Sequence, residues 1–247
     1  MKHELLRTNI SLEEAVKIQK KYSRLLKKSD QRITKITSIE QIKWIAGVDI
    51  SYFKERDEEW GTSCAVLWSL EEKKMKSYKI SKDIVKFPYK AGFLGFRECN
   101  LIGQALEKLS SLPDIIMCDG HGFIHPKRFG EAVQLGFALD IPTIGVAKSP
   151  FIGFTDFKNF KRKKGNKIPI WALDPQLSTG ISQELLGNAV CLNDGMKPVF
   201  ISAGYKTTLN IAIETALKTT LNHRQPEPLY LSDKISKQLI KKVSKLD

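Results

Sequence analysis

Two of the four histidines fall in one run of nine residues, Cys118-Asp119-Gly120-His121-Gly122-Phe123-Ile124-His125-Pro126, directly after the apolar Asp114-Ile115-Ile116-Met117. A carboxylate leaving a buried strand into glycines and imidazoles is costly beside a core unless a cation or a substrate uses it. The run is therefore expected to floor an active site. Asp49 stands inside the alternating stretch Trp44–Phe53 and shares a strand side with Gly47 and Ser51, a position that propensity disfavours for aspartate. Glu98 follows Leu94 by four residues and precedes Leu101 and Ile102 by three and four, which puts a carboxylate on the apolar stripe of a helix. Carboxylates held about 4 Å apart repel by on the order of 4 kcal/mol per pair at an effective dielectric of roughly 20, and a divalent cation removes that penalty. All-oxygen donors call for Mg²⁺, with Mn²⁺ as a substitute, rather than zinc. Asp49, Glu98 and Asp119 around such a cation on a basic protein indicate phosphodiester hydrolysis. His125, just before Pro126, is expected to hold the attacking water or a phosphate. Lys148 ends the strand Pro142–Ala147 at the sheet edge of Asp119, where it can face a phosphate. His121 receives no role.

These residues need a scaffold. Ser11 and Glu14 form a capping box that opens a basic outer helix running to about Lys28. Strands are expected at 44–53, 64–70 and 76–80, with a turn at Glu71-Glu72-Lys73-Lys74. After Pro88, helical spacing of Phe93, Leu94, Leu101, Ile102, Ala105 and Leu109 takes over. The chain then alternates: strand 114–118, helix about 127–140, strands 142–147, 188–192 and 198–202, helix about 207–221 and a terminal helix about 233–246. An antiparallel meander followed by β-α-β units reads as an α/β fold, a mixed β-sheet flanked by helices on both faces in the order of ribonuclease H-like folds. One domain over 1–247 is expected, with an N-terminal helical segment of about 1–35.

Forty Lys plus Arg against twenty-seven Asp plus Glu give a formal charge of +13. Such a surplus attracts nucleic acid. The segment Phe157–Lys167 interleaves aromatic and basic residues, and Lys161, Arg162, Lys163 and Lys164 are expected to meet a phosphate backbone. Four scattered cysteines without a C-x-x-C pair read as buried thiols in a reducing compartment. With neither a secretory signal nor an apolar span, a soluble, cytoplasmic monomer without a membrane partner is expected.

Gly47-Val48-Asp49-Ile50-Ser51-Tyr52, Pro88-Tyr89 with Gly92-Phe93-Leu94-Gly95-Phe96-Arg97-Glu98, Asp119-Gly120-His121-Gly122 with His125-Pro126-Lys127-Arg128-Phe129-Gly130, and Leu139–Ser149 together resemble the endonuclease V family of deoxyinosine 3′ endonucleases. The likeness spans about residues 40 to 220 in order and includes Lys197–Ser202. It implies a ribonuclease H-like enzyme that recognises hypoxanthine in nucleic acid and cuts the second phosphodiester 3′ to it, leaving 3′-hydroxyl and 5′-phosphate ends. By the same resemblance Asp49, Glu98 and Asp119 match metal-binding carboxylates, and His125 and Lys148 match other active-site positions. Tyr89 matches a strand-separating wedge, while Leu94, Gly120 and Gly130 match a base pocket built from main-chain groups.

Two departures stand out. The family wedge reads Pro-Tyr-Ile-Pro where this chain has Pro88-Tyr89-Lys90-Ala91, and a family Gly-His is replaced by Gly204-Tyr205, which puts Tyr205 in line for a supporting role beside the site. The rival readings are a related nuclease such as the incision half of an excision-repair protein, an inosine-specific endoribonuclease acting on RNA, and a basic nucleic-acid-binding protein with a decayed site.

Overall fold

The computed structural model describes residues 2–28, 36–157, 160–176 and 183–243. In chain order the elements are α1 (Leu12–Lys28), β1 (Trp44–Glu55), β2 (Glu58–Ser69), β3 (Lys74–Ile84), α2 (Leu94–Glu107), β4 (Ile115–Cys118), α3 (Glu131–Leu139), β5 (Thr143–Ala147), β6 (Lys167–Trp171), β7 (Leu185–Val190), β8 (Val199–Ala203), α4 (Leu209–Lys218) and α5 (Glu227–Val243). Short single-turn helices lie at His3–Leu6 and Ile39–Gln41.

The strands form one mixed sheet in the order β3-β2-β1-β4-β5-β8-β7-β6. β1, β4 and β5 run parallel at its centre, so their C-terminal ends share one edge, and the remaining pairings are antiparallel. That shared edge is where α/β sheets place their ligands. Alternation decides the faces: Ile45, Ile115, Met117, Ile144 and Val146 pack with residues of α4 and α5, whereas Ala46, Val48, Ile50, Ile116 and Cys118 pack with α2 and α3. This ribonuclease H-like arrangement is the expected fold class.

α5 lies unusually close to β1. A Cβ on Gly47 would come within 2.3 Å of the Pro228 carbonyl carbon, so only glycine lets the helix seat there. α1, held by the expected reciprocal bonds between Ser11 and Glu14, is more than an outer helix. It buries Ala15, Ile18, Tyr22 and Leu26 against Phe129, Val133 and Phe137.

Several boundaries differ from expectation. α3 begins at Glu131 rather than near 127, because Arg128 takes a left-handed backbone (φ 53°) and Gly130 donates to the Gly122 carbonyl, both incompatible with an early helix. α5 starts at Glu227 rather than 233, with Pro228 in its first turn, where a missing N–H costs nothing. β2 and β3 are longer than expected, and no strand was expected at β6. It is an edge strand containing Pro169, which periodicity reads poorly. Residues 29–35 and 244–247, the ends of two expected helical stretches, and residues 158–159 of the basic segment lie outside the described residues. All four cysteines are buried and unpaired in disulfides. Among the described residues no helix is long and apolar enough to cross a membrane.

Candidate active site

Asp49 points to the α5 side of β1, where α5 brings Asp233, and the two carboxyls share a hydrogen bond. Burial, then the charges of Asp119 and Asp233, pushes the Asp49 acid up to about 8. Asp233 is held below its usual range because Lys237 and the proton donated by Asp49 outweigh its partial burial. Asp49 therefore carries the proton of the pair. Asp119 leaves β4 one residue beyond Cys118 and accepts from Lys148 Nζ at 2.6 Å. Burial works against the Lys148 ammonium, yet Asp119 and the more distant Asp49 and Asp233 hold its pKa above the ordinary value.

Glu98 comes from α2 on the opposite face and is 9% exposed. Tyr52 Oη donates to Glu98 Oε1, and the Tyr52 ring lies under the Arg97 guanidinium, 4.5 Å from its centroid. Arg97 itself pairs with Glu59 at 2.6 Å and donates to the Phe87 carbonyl, so it is not the partner of Glu98. Burial lifts the Glu98 acid to about 7 against the lowering effect of the Tyr52 and Glu131 hydrogen bonds.

Four acids thus crowd the C-terminal edge of β1 and β4, joined by Glu131 at the start of α3. In this arrangement no three such groups among the described residues converge on one point. Lys148 covers Asp119, and Tyr52 covers Glu98. The fit to a hard cation lies in the donor chemistry: every donor is a carboxylate oxygen, and Asp49 and Glu98, raised first by burial, also feel the charge of Asp119.

Beside the acids opens a cavity of about 220 Å³, whose lining includes Tyr89, Leu94, His121, Gly130, Glu131 and Phe151. Tyr89 stands 74% exposed at its mouth. The lip is fixed at Gly92 (φ 84°), whose carbonyl accepts from Gln19 Nε2 of α1 at 2.7 Å and faces His125 Nε2 at 3.1 Å. His125 Nδ1 accepts the Lys127 N–H, which leaves the proton on Nε2. Burial drives both His121 and His125 down to about 4, so both rings are neutral. Of the expected pocket residues, Leu94 and Gly130 line the cavity directly. Gly120 lies behind it, where a Cβ would come within 2.2 Å of Glu131 Oε2.

On the other side of Lys148 runs a groove containing Phe157, Phe160, Arg162, Lys197 and Arg224. The Arg224 guanidinium donates to the Lys148 and Pro198 carbonyls at 2.6 and 2.7 Å and so fixes the groove floor. The expected basic run is divided. Arg162 lines this groove, whereas Lys164 lines a separate hollow with Lys43, Lys73 and Lys218.

Tyr205 was expected near the edge carrying Asp119 and is not there. β8 runs antiparallel to β5, so the end of β8 lies beside the start of β5. Tyr205 is 2% exposed, packs on Phe137, donates its N–H to Thr143 Oγ1 and donates its hydroxyl to Asp140 at 2.7 Å. Sequence reasoning missed three groups that the fold brings to the acids: Tyr52, Glu131 and Asp233. The i, i+3, i+6 spacing of Tyr230, Asp233 and Ser236 was the available signal for Asp233, since Ser236 and Ser51 meet across the same interface at 2.7 Å.

A mixed sheet with acids gathered at the ends of its central parallel strands, beside a small cavity and a basic groove, defines a ribonuclease H-like nuclease. Comparison with known proteins narrows this further. The endonuclease V family model matches residues 26–234. Endonuclease V of Nostoc punctiforme is 35% identical over 226 residues, covering 92% of this chain and 94% of the relative, and that of Dictyoglomus turgidum is 35% identical over 230 residues, covering 92% and 90%. Among solved structures, Ciona intestinalis endonuclease V, in complex with a 24mer DNA containing an inosine followed by a ribo-adenosine, is 32% identical with a TM-score of 0.79, covering 94% of this chain and 99% of that one. Bacillus subtilis endonuclease V, at 24% identity and a TM-score of 0.85 with both chains fully covered, shares the fold. The chain belongs to the endonuclease V family.

Proposed function

We propose that this protein is an intracellular DNA-repair endonuclease that takes an extruded hypoxanthine into the cavity behind Tyr89 and hydrolyses the second phosphodiester bond 3′ to it. The observation that carries this reading is adjacency. One loop, residues 119–130, connects Asp119 at the acid cluster to Gly130 at the cavity wall, and Glu131 lies against both. A base held on one side therefore presents its downstream backbone to the other. The relationship to the Ciona protein, which binds inosine-containing DNA, supports the substrate class.

In this reading Asp49, Glu98 and Asp119, with Asp233 behind Asp49, would hold Mg²⁺, or Mn²⁺ in its place. A divalent cation there supplies charge neutralisation at the phosphate and acidifies a water. The protein's own groups do the rest. Lys148 offers its ammonium to a non-bridging phosphate oxygen once released from Asp119. Tyr52 orients Glu98. Tyr89 fills the gap left in the duplex, and unstacking the base costs a few kcal/mol, least where inosine has already weakened the pair. Arg162 and Lys197 guide the strand.

The test is cleavage of matched DNA and RNA oligonucleotides, each with one inosine, in Mg²⁺. DNA cut one nucleotide beyond the inosine, and lost in Asp49→Ala, is the expected result. Cutting confined to RNA overturns the DNA assignment. Tyr89→Ala should reduce duplex cutting about tenfold more than single-strand cutting.

A further inference from the structure

Two polar side chains of α1 reach out of the helix to the loops around the acids. Gln19, 4% exposed in mid-helix, donates through Nε2 to the Gly92 carbonyl at 2.7 Å. One turn on, Ser23 Oγ donates to the Lys127 carbonyl, also at 2.7 Å. His125 joins these two anchor points, since its Nδ1 accepts the Lys127 N–H and its Nε2 donates to the Gly92 carbonyl. The hydrogen bonds close a bracket that runs from α1 through Gly92, His125 and Lys127 back to α1. The same helix face buries Ile18, Tyr22 and Leu26 against Phe129, Val133 and Phe137, so the bracket is mounted on the core.

What the bracket holds is a turn. The Phe93 N–H donates to the Lys90 carbonyl at 2.9 Å, and Gly92 in third place takes φ 84° while Ala91 in second place keeps a negative φ, the pattern of a type II turn. Proline is favoured in second place because its ring presets φ there. Ala91 fills that corner here and leaves the turn unstiffened from within. Tyr89, two residues ahead of Ala91, stands 74% exposed, so the backbone rather than packing sets its direction. Gln19 restrains the turn from outside.

Resting on the functional reading above, we infer that Gln19 is a positioning residue of the wedge: by holding the Gly92 carbonyl it fixes the Lys90–Phe93 turn, and α1 thereby sets how rigidly Tyr89 is presented to a duplex. A single strand makes no such demand, because little stacking has to be broken there. Gln19 therefore acts on the duplex substrate and hardly on the single-stranded one.

The experiment uses the full chain and a DNA duplex with one inosine facing thymine, beside the inosine strand alone. Cutting is compared by kcat/KM in Mg²⁺, and strand parting by permanganate oxidation of the facing thymine in chelator, which reads unstacking without the cation. Gln19→Met, of similar length but without a donor, should cut duplex about tenfold more slowly, the worth of one buried hydrogen bond, and single strands within about twofold of wild type. Thymine oxidation should fall with duplex cutting. Ser23→Ala, which removes only the second anchor of the bracket, should show the same split at about threefold and keeps the test decisive if Gln19→Met does not fold. Ala91→Pro should restore duplex cutting about two- to fivefold in Gln19→Met and add less to wild type, since both restraints act on one turn. Equal losses on duplex and single strand, unchanged thymine oxidation, or an Ala91→Pro gain of equal size in both backgrounds overturns the inference and leaves the nuclease assignment standing. A wild type that neither cuts inosine DNA nor exposes the thymine overturns the functional reading as well.

Discussion

Lys148 Nζ lies 2.6 Å from Asp119 Oδ2, so its ammonium occupies a carboxylate that the proposed mechanism needs free for a metal ion. On that proposal the lysine neutralises Asp119 until an ion binds and is then free for a phosphate. Lys148→Met should therefore bind Mg²⁺ about two- to fivefold more tightly, the worth of a partly exposed ion pair, while cutting at least about tenfold more slowly. Calorimetric Mg²⁺ titration beside single-turnover cleavage decides this. Weaker Mg²⁺ binding in the variant would mean that Lys148 supports the ligands rather than competing with the ion.

The crowding of Asp49 against Asp119 and Asp233 predicts an opposition between stability and activity. Asp49→Asn keeps a donor for Asp233 but removes an ionisable acid whose charged form burial disfavours. In chelator at pH 8 the variant should be more stable than wild type by about 1 kcal/mol or more, and cleavage should fall at least about a thousandfold. Paired denaturation curves and rates test it. A variant less stable than wild type in chelator contradicts the electrostatic account.

Binding to undamaged duplex should weaken steeply with salt, through the groove rather than through the whole basic run. Replacing Arg162 and Lys197 with alanine should reduce the slope of log K against log salt by about two, whereas Lys164→Ala should leave it unchanged. An equal effect from Lys164→Ala would route the nucleic acid over the opposite hollow.

His125 makes stability depend on pH in a defined direction. Its folded pKa, about 4, lies below the ordinary value of 6.5, so the unfolded chain takes up this proton first. The contribution is complete above pH 6.5 and is lost as pH falls toward 4, by up to about 3 kcal/mol. Denaturation at a series of pH values should show this loss, and His125→Asn should flatten the slope by about one proton. An identical slope in the variant would show that the ring is not held neutral.

Tyr205→Phe removes the hydroxyl bond to Asp140 and should cost about 1 kcal/mol of stability with cleavage unchanged. Tyr205→His, which also loses packing against Phe137, should cost about 3 kcal/mol. A melt unaffected by Tyr205→Phe together with a reduced rate would return this residue to the active site.

Asp49, Glu98 and Asp119 were legible because each breaks a local rule: an acid in an alternating strand, on an apolar helical stripe, and at the exit of a buried strand. The central strands were legible for the same reason of period. Asp233 was not, since its helix opens at a Pro-Glu-Pro sequence that hides the start, and an acid on an amphipathic helix breaks no rule. Glu131 gave no signal, because an acid near a helix N-terminus is favoured whether or not it is buried. Tyr205 was misplaced because a single strand does not announce whether it enters the sheet parallel or antiparallel. The loop 119–130 looked helical toward its end, and only its bonds to β8 and to itself, such as Phe123 N–H to the Ala203 carbonyl, hold it open.

The glycine at position 47, which lets α5 settle onto β1, ties the completeness of the acid cluster to the seating of the last helix. Asp49 and Asp233 are separated by most of the sequence, and the seat between them exists only after the sheet has assembled and α5 has docked. The acid cluster is thus completed across the contact between one of the first strands and the last helix, so any change that unseats α5 from β1 dismantles the Asp49–Asp233 pair without touching either carboxylate.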